Sequence, residues 1–387
     1  PKVMARKIDA AADHGIDAFI FDWYWYNGPF LQGGLDEGFL GADNNDRLKF
    51  ALMWANHDWM EIFPRTLDHD PELLYPGAVT SSTFEALTDH IIDKYFSHPS
   101  YWKIEGRPYF SIYDLSAFLD GLGGIEGARQ ALDRFREKTK SAGFPDLHLN
   151  IVMWGRTILP NEKVVEDPAA LIHELGFDSV TSYVWVHHVP LNEFPLTPYR
   201  TVFEKYMDYC HRAGTKYDLP YYPNATVGWD SSPRTDQEGQ FINAGYPYTP
   251  IMSGSTPEAF EESLFALRDY LETQPRDQRI LTVNSWNEWT EGSYLEPDTR
   301  HGMKYLEAIQ TVFKELAYRD GRPTAKWRME AKDQGVVLRH GDGPNQCDIY
   351  GARDVWVFES EGKYYLHYDA AGPTGWLCSL AVSDDLV

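Results

Sequence analysis

The sequence predicts an α/β fold, a (β/α)8 barrel of the TIM type, on three observations. Seven short apolar runs alternate with helical segments along most of the chain. The runs are continuously apolar, the pattern of parallel strands covered on both faces. Polar and aromatic residues gather where these runs end, which is the face on which such barrels carry their sites.

The elements follow in order. "PKVMARKIDAAADHG" (1–15) is an amphipathic helix closed by Gly15. "IDAFIFDWYW" (16–25) and "RLKFALMWAN" (47–56) are strands. "STFEALTDHIIDKYF" (82–96) is a helix before the strand "RPYFSIYD" (107–114). A helix over 125–143 precedes the strand "LHLNIVMWG" (147–155), and a short helix near 166–174 precedes "DSVTSYVW" (178–185). Helix 199–214 leads to a strand within 219–230, helix 256–273 to "RILTVNSW" (279–286), and a last helix covers 301–319. The chain thus opens on a helix that should follow a strand. Placing that strand upstream gives eight. An open doubly wound sheet is the alternative; no G-x-G-x-x-G follows an early strand to support its dinucleotide form. Past residue 322 the texture becomes β-rich, and "ESEGKYYLHYD" (359–369) is a hairpin. The expected domains are 1–320 and 321–387.

Bulk properties bound the function. Lys and Arg number 35 against 58 Asp and Glu, a net charge of −23. Nucleic acid requires a positive footprint, so none is expected as partner. No apolar stretch reaches membrane-span length. Aromatic residues make up 15% of the chain, and Trp or Tyr faces stack on sugar rings while their polar tips find partners. Three cysteines cannot build a disulfide framework. Cys347 and Cys378 could pair; Cys210 reads as buried filler in a helix. No zinc-ligand spacing, P-loop or G-x-S-x-G occurs, and neither metal nor organic cofactor is expected.

The candidate site residues lie at the strand ends. "NSWNEWTEGSYLEPD" (284–298) holds Asn287, Glu288, Glu291 and Glu296. Glycoside cleavage needs two carboxyl groups flanking one bond. Glu288 and Glu291 would stand about 10 Å apart on an extended strand, so they converge only if the chain curls, and Gly292 allows that. An isolated E-x-x-E is ordinarily a solvated loop pair; its place at a strand end among tryptophans favours the catalytic reading. Glu296 caps the following helix, pairs with Arg300 or bonds a sugar. Trp54, Trp59, Trp154 and Trp185 are candidate sugar platforms, each equally suited to a core. Asp22, Trp23, Asn56, Tyr113, Tyr183 and Asn287 are candidate substrate contacts. His57, His187 and His188 read as satisfied or sugar-bonding histidines. Asn224-Ala-Thr226 is a formal glycosylation acceptor and is treated as noise.

"DAFIFDWYWYNG" (17–28), "ALMWANHDW" (51–59) and "NSWNEWTEGSYLEPD" (284–298), in that order, resemble glycoside hydrolase family 99 and its WbsX-type relatives. The resemblance spans about residues 1–320 and implies a (β/α)8 barrel that cleaves α-mannosides. It implies Glu288 as the base that takes the proton of the sugar's own 2-hydroxyl, and Glu291 as general acid/base. The 2-hydroxyl then attacks the anomeric carbon to give a 1,2-anhydro sugar, so the substrate is a 1,2-trans glycoside. The WbsX branch carries a glycosyltransferase-like description, which keeps a cell-surface polysaccharide transferase as an alternative. A non-catalytic carbohydrate-binding barrel is another. The tail, "GARDVWVFESEGKYYLHYD" (351–369), resembles the first blade of five-bladed β-propeller glycosidases, with Asp354 where they place a carboxylate. The expected partner is an oligosaccharide or polysaccharide, and the expected setting is secreted, periplasmic or cell-surface. No signal peptide is read within this chain, which opens mid-helix, so its natural start is expected upstream.

Overall fold

The structure, a computed structural model, describes residues 1–315, 339–341, 344–360 and 362–384. The chain divides into two compact units, Pro1–Gly321 and Arg322–Val387.

The first unit is a mixed α/β fold built on a parallel sheet. All seven apolar runs are strands: Ala18–Trp25 (β1), Lys49–Trp54 (β2), Arg107–Ile112 (β3), His148–Val152 (β4), Ser179–Thr181 (β5), then Tyr221–Tyr222 and Asn224–Thr226 (β6 and β7, two halves of one run), and Thr282–Asn284 (β8). Each run pairs in parallel with the next, the sixth through its two halves in turn: Ala18 lies beside Lys49, Leu52 beside Phe110, Tyr109 beside His148, Asn150 beside Ser179, Val180 beside Tyr221 and Asn224 beside Thr282. Parallel neighbours need long crossovers, and the helices supply them: Lys2–Asp13 (α1), Ser81–Ile91 (α2), Ile125–Ser141 (α3), Pro168–Glu174 (α4), Tyr199–Lys216 (α5), Pro257–Glu272 (α6) and Lys304–Ile309 (α7), the last continuing through Gln310–Glu315. The rest of the final helix expected over 301–319 lies outside the described residues. Local chemistry starts these helices. The Thr80 hydroxyl accepts from the Thr83 amide at 3.2 Å, and Thr256 accepts from Ala259 at 3.3 Å with Pro257 in the first helical position.

The sheet curls strongly. Tyr183, just past β5, donates its hydroxyl to Asp22 on β1 at 2.9 Å. In a flat sheet strands four places apart would lie about 19 Å apart, at about 4.8 Å per strand. That curvature disfavours the open doubly wound alternative. Among the described residues β8 and β1 do not pair, so no closed barrel is formed. The gap shows in the packing: β2 is buried from Phe50 to Trp54 and β4 throughout, whereas Ala18–Asp22 of β1 are only partly buried.

The second unit holds three antiparallel strands, Gly351–Ser360, Lys363–Gly372 and Gly375–Ser383. The expected hairpin is present, with Ser360 opposite Lys363. Cys347 and Cys378 do not pair: both are free, as is the buried Cys210. The expectation for the Asp354 side chain lies outside the described residues. No helix among the described residues is long and apolar enough to cross a membrane.

Candidate active site

The carboxylate segment curls as its glycine allows. After β8 the chain forms a tight hairpin, with Asn287 opposite Tyr294 and Glu288 opposite Ser293, and Trp289–Glu291 make its turn. Gly292 closes the turn at φ +60°, where a side chain is disfavoured. A Cβ there would stand 2.7 Å from the Asp230 Cβ, too close for any other residue. That approach lets the Asp230 amide bond the Glu291 carbonyl at 2.5 Å, locking the turn to the loop after β7.

Both acids then face one cleft of about 180 Å3. Drug-sized sites run to roughly 300–1,000 Å3, so this one has room for about a single sugar ring. Asp22, Tyr24, His57, Trp59, Tyr113 and Tyr183 line it with Arg234, Glu288 and Glu291. One guanidinium joins the pair. Arg234 donates from Nη2 to Glu288 Oε2 at 2.9 Å and from Nη1 to Glu291 Oε1 at 2.6 Å. Tyr246 donates its hydroxyl to the same Glu291 oxygen at 2.7 Å and also contacts Arg234. Arg234 Nε is held by Thr290 Oγ1 at 2.8 Å.

Two carboxyls, Glu288 and Glu291, therefore share one cation, and Asp22 stands in the same cleft bonded to Tyr183. Burial pushes Glu288 up to about 7, with Glu291 and Asp22 adding to the rise and Arg234 opposing it. Burial pushes Asp22 up to about 6, against the Tyr183 hydrogen bond. Beside the cleft, Glu162 accepts from Tyr113 at 2.9 Å and from the amides of Ile158 and Leu159 at 2.7 and 2.9 Å, and burial lifts it to about 7. Burial lowers His57, and it lowers His187 to about 3, so both imidazoles are neutral near pH 7. Among the described residues no group of three or more His, Cys, Asp or Glu side chains is placed to hold a metal ion.

Several expected contacts lie elsewhere. Successive strand residues point to opposite faces, so Asp22 and Tyr24 reach the cleft while Trp23 turns outward, stacked on Trp25 at 5.6 Å. Likewise Met53 and Ala55 face inward, and Trp54 is buried between Phe84 and Phe118 under the helices. Trp185 starts a 3-10 turn that swings it into the core against Tyr199, Phe203 and Tyr206. Asn56 is buried and exchanges two 2.7 Å hydrogen bonds with the Asp114 backbone. Trp154 packs behind Tyr113 and bonds the Lys163 carbonyl. Asn287 is exposed outside the cleft. Glu296 braces the indole N–H groups of Trp286 and Trp289 at 3.0 and 2.6 Å and pairs with Lys7, not Arg300. Asn224 is buried, which removes it as a glycosylation acceptor. Of the expected set, Asp22, Trp59, Tyr113, Tyr183, Glu288 and Glu291 do meet. Arg234 and Tyr246 were not foreseen. The one available signal was an arginine shortly after the Trp229–Asp230 cluster in "WDSSPRT".

The profile of the family described as Glycosyltransferase WbsX matches residues 1–309. The chain is 25% identical over 315 residues to the uncharacterized protein WxcX of Xanthomonas campestris pv. campestris (strain B100), covering 80% of this chain and 41% of that protein. It spans about two fifths of that relative's length. Two solved structures share the fold. One is named a glycoside hydrolase-like protein, with TM-score 0.54 and 16% identity, covering 81% of this chain and 86% of that one. The other is the GH99 endo-alpha-mannosidase from Bacteroides thetaiotaomicron, with TM-score 0.50 and 13% identity, covering 82% and 80%. Nothing in these comparisons supports a propeller for the tail. By the extent of the profile match, the chain belongs to the WbsX family.

Proposed function

We propose that the protein is a retaining glycoside hydrolase acting on a 1,2-trans-linked glycan, with an α-mannoside-like sugar favoured. The observation that carries this is the pairing of Glu288 and Glu291 on one arginine in a cleft sized for a sugar ring. Glu288 takes the 2-hydroxyl proton, O2 attacks the anomeric carbon, and the bond to the leaving oxygen breaks as that oxygen receives a proton from Glu291. Water then adds to the anomeric carbon and gives its proton to Glu291, while O2 leaves that carbon and regains its proton from Glu288. Two inversions give retention. A base held near 7 suits proton abstraction at neutral pH. The acid step needs a protonated Glu291, and the substrate's 2-hydroxyl takes the place of Arg234 as the partner of Glu288.

A closed eight-stranded barrel belongs to the same proposal. The open edge of β1 along Ala18–Trp23, with partly buried apolar residues on it, and the absence of a β1–β8 pairing among the described residues support one further strand between them. A polysaccharide substrate would place the protein in a secreted, periplasmic or cell-surface setting.

The test uses aryl glycosides of differing leaving-group acidity. Glu291→Gln is expected to lose on the order of 10²–10⁴-fold with poor leaving groups and far less with activated ones. Glu288→Gln is expected to lose comparably with both. Wild-type turnover in both variants would remove the mechanism. The family description supports a transferase as the second reading; product formation only when a nucleotide sugar is supplied would favour it.

A further inference from the structure

Trp289 stands out among residues near the cleft that the chemistry does not use. It lies between the two acids in sequence, one Cα step of about 3.8 Å from Glu288, yet its side chain is absent from the cleft lining. It is 43% exposed. A single exposed aromatic is ordinary; one held this firmly is not. Its N–H donates to Glu296 Oε2 at 2.6 Å, and its ring stacks on Tyr294 at 3.8 Å and 18°. Glu296 is itself anchored by Lys7 at 2.5 Å and by the Trp286 N–H at 3.0 Å. Tyr294 is tied to Asp298 at 2.9 Å. Asn287, exposed, stands directly across from Tyr294 in the hairpin.

We propose that Trp289, stacked on Tyr294 and flanked by Asn287, is a sugar-binding shelf outside the cleft, and that the substrate is therefore a glycan chain rather than a single glycosyl unit. An indole immobilised in advance loses little freedom on stacking against a ring face, so its contact area goes into affinity. The neighbouring amide supplies the donor and acceptor a sugar hydroxyl needs. The cleft holds about one ring, so a unit on the shelf is a second residue of the same chain. The inference rests on the carbohydrate reading above, and not on which reaction the cleft performs.

The test is affinity electrophoresis of the full chain carrying Glu288→Gln through gels cast with yeast α-mannan, laminarin, β-1,4-galactan or arabinoxylan. At least one polymer is expected to retard the protein. Trp289→Ala should weaken that retardation at least tenfold, while Trp289→Tyr should stay within about threefold by keeping a flat ring. Equal retardation with and without the indole overturns the shelf, as does retardation by none of the polymers. A melting temperature for Trp289→Ala more than a few degrees below the parent moves the comparison to Trp289→Tyr against Trp289→Leu, where equal binding overturns it. Trp289-dependent binding by a wild-type protein that releases no sugar would sink the hydrolase reading and leave the shelf standing.

Discussion

Two carboxyl centres border the cleft and differ in what holds them. Glu288 and Glu291 share the guanidinium of Arg234. Glu162 rests on neutral donors alone, the Tyr113 hydroxyl and two backbone amides. Glu162 and Glu288 both come to about 7, by different routes. Glu162 is raised by burial, with a smaller push from the Asp114 charge, and its neutral donors pull back. Glu288 is raised by burial and by neighbouring negative charge, and a cation pulls back. A ligand that displaces or screens Arg234 can therefore retune the first centre. The second has no cation to displace, and its donors come from Tyr113, Ile158 and Leu159, which line the cleft.

The sharpest way to break this contrast is Arg234→Met. Removing the buried cation strands two carboxylates, a loss of about 3–5 kcal/mol readable in a denaturant melt. It should also move the acidic limb of the pH–rate profile upward, because Glu288 loses the group that opposes its rise. Gly292→Ala acts on the same centre through the backbone. The left-handed φ and the contact with Asp230 should cost about 1–2 kcal/mol or more and lower turnover by swinging Glu291 off Arg234. Glu162→Gln addresses the other centre. A carboxyl raised to about 7 favours the folded state at low pH, and that advantage is lost as pH climbs from the unfolded value of about 4.3 through 7. The variant should flatten this fall, by on the order of 1 kcal/mol for a partly exposed group, with little change in activity. The smallest effect is expected from Tyr183→Phe. It removes the hydrogen bond that lowers Asp22, so Asp22 should titrate above its present value of about 6, seen by carboxyl NMR.

The strands were legible because a strand covered on both faces is mostly apolar, as β2 is from Phe50 to Trp54; β4 admits His148 and Asn150 because both hydrogen-bond the Ser179 hydroxyl. Which aromatic faces which side was less so. "DWYW" and "LMWA" carry large rings at consecutive positions, so composition suited either face, and only the strand period separates Asp22 from Trp23 or Met53 from Trp54. Trp185 escaped even that rule because a turn begins on it. Arg234 was hidden for another reason. It meets Glu288 and Glu291 across more than fifty residues, through loops whose course no local pattern encodes. Glu296 shows the converse: a carboxylate in a promising motif spent on bracing two indoles.

The Asp22–Tyr183 bond spans the arc of the sheet like a tie rod under a vault. It joins walls that share no ladder, so the width of the mouth is set by two side chains and not by backbone pairing alone. On the glycosidase reading proposed above, a sugar between those walls would meet that rod on the cleft's own lining.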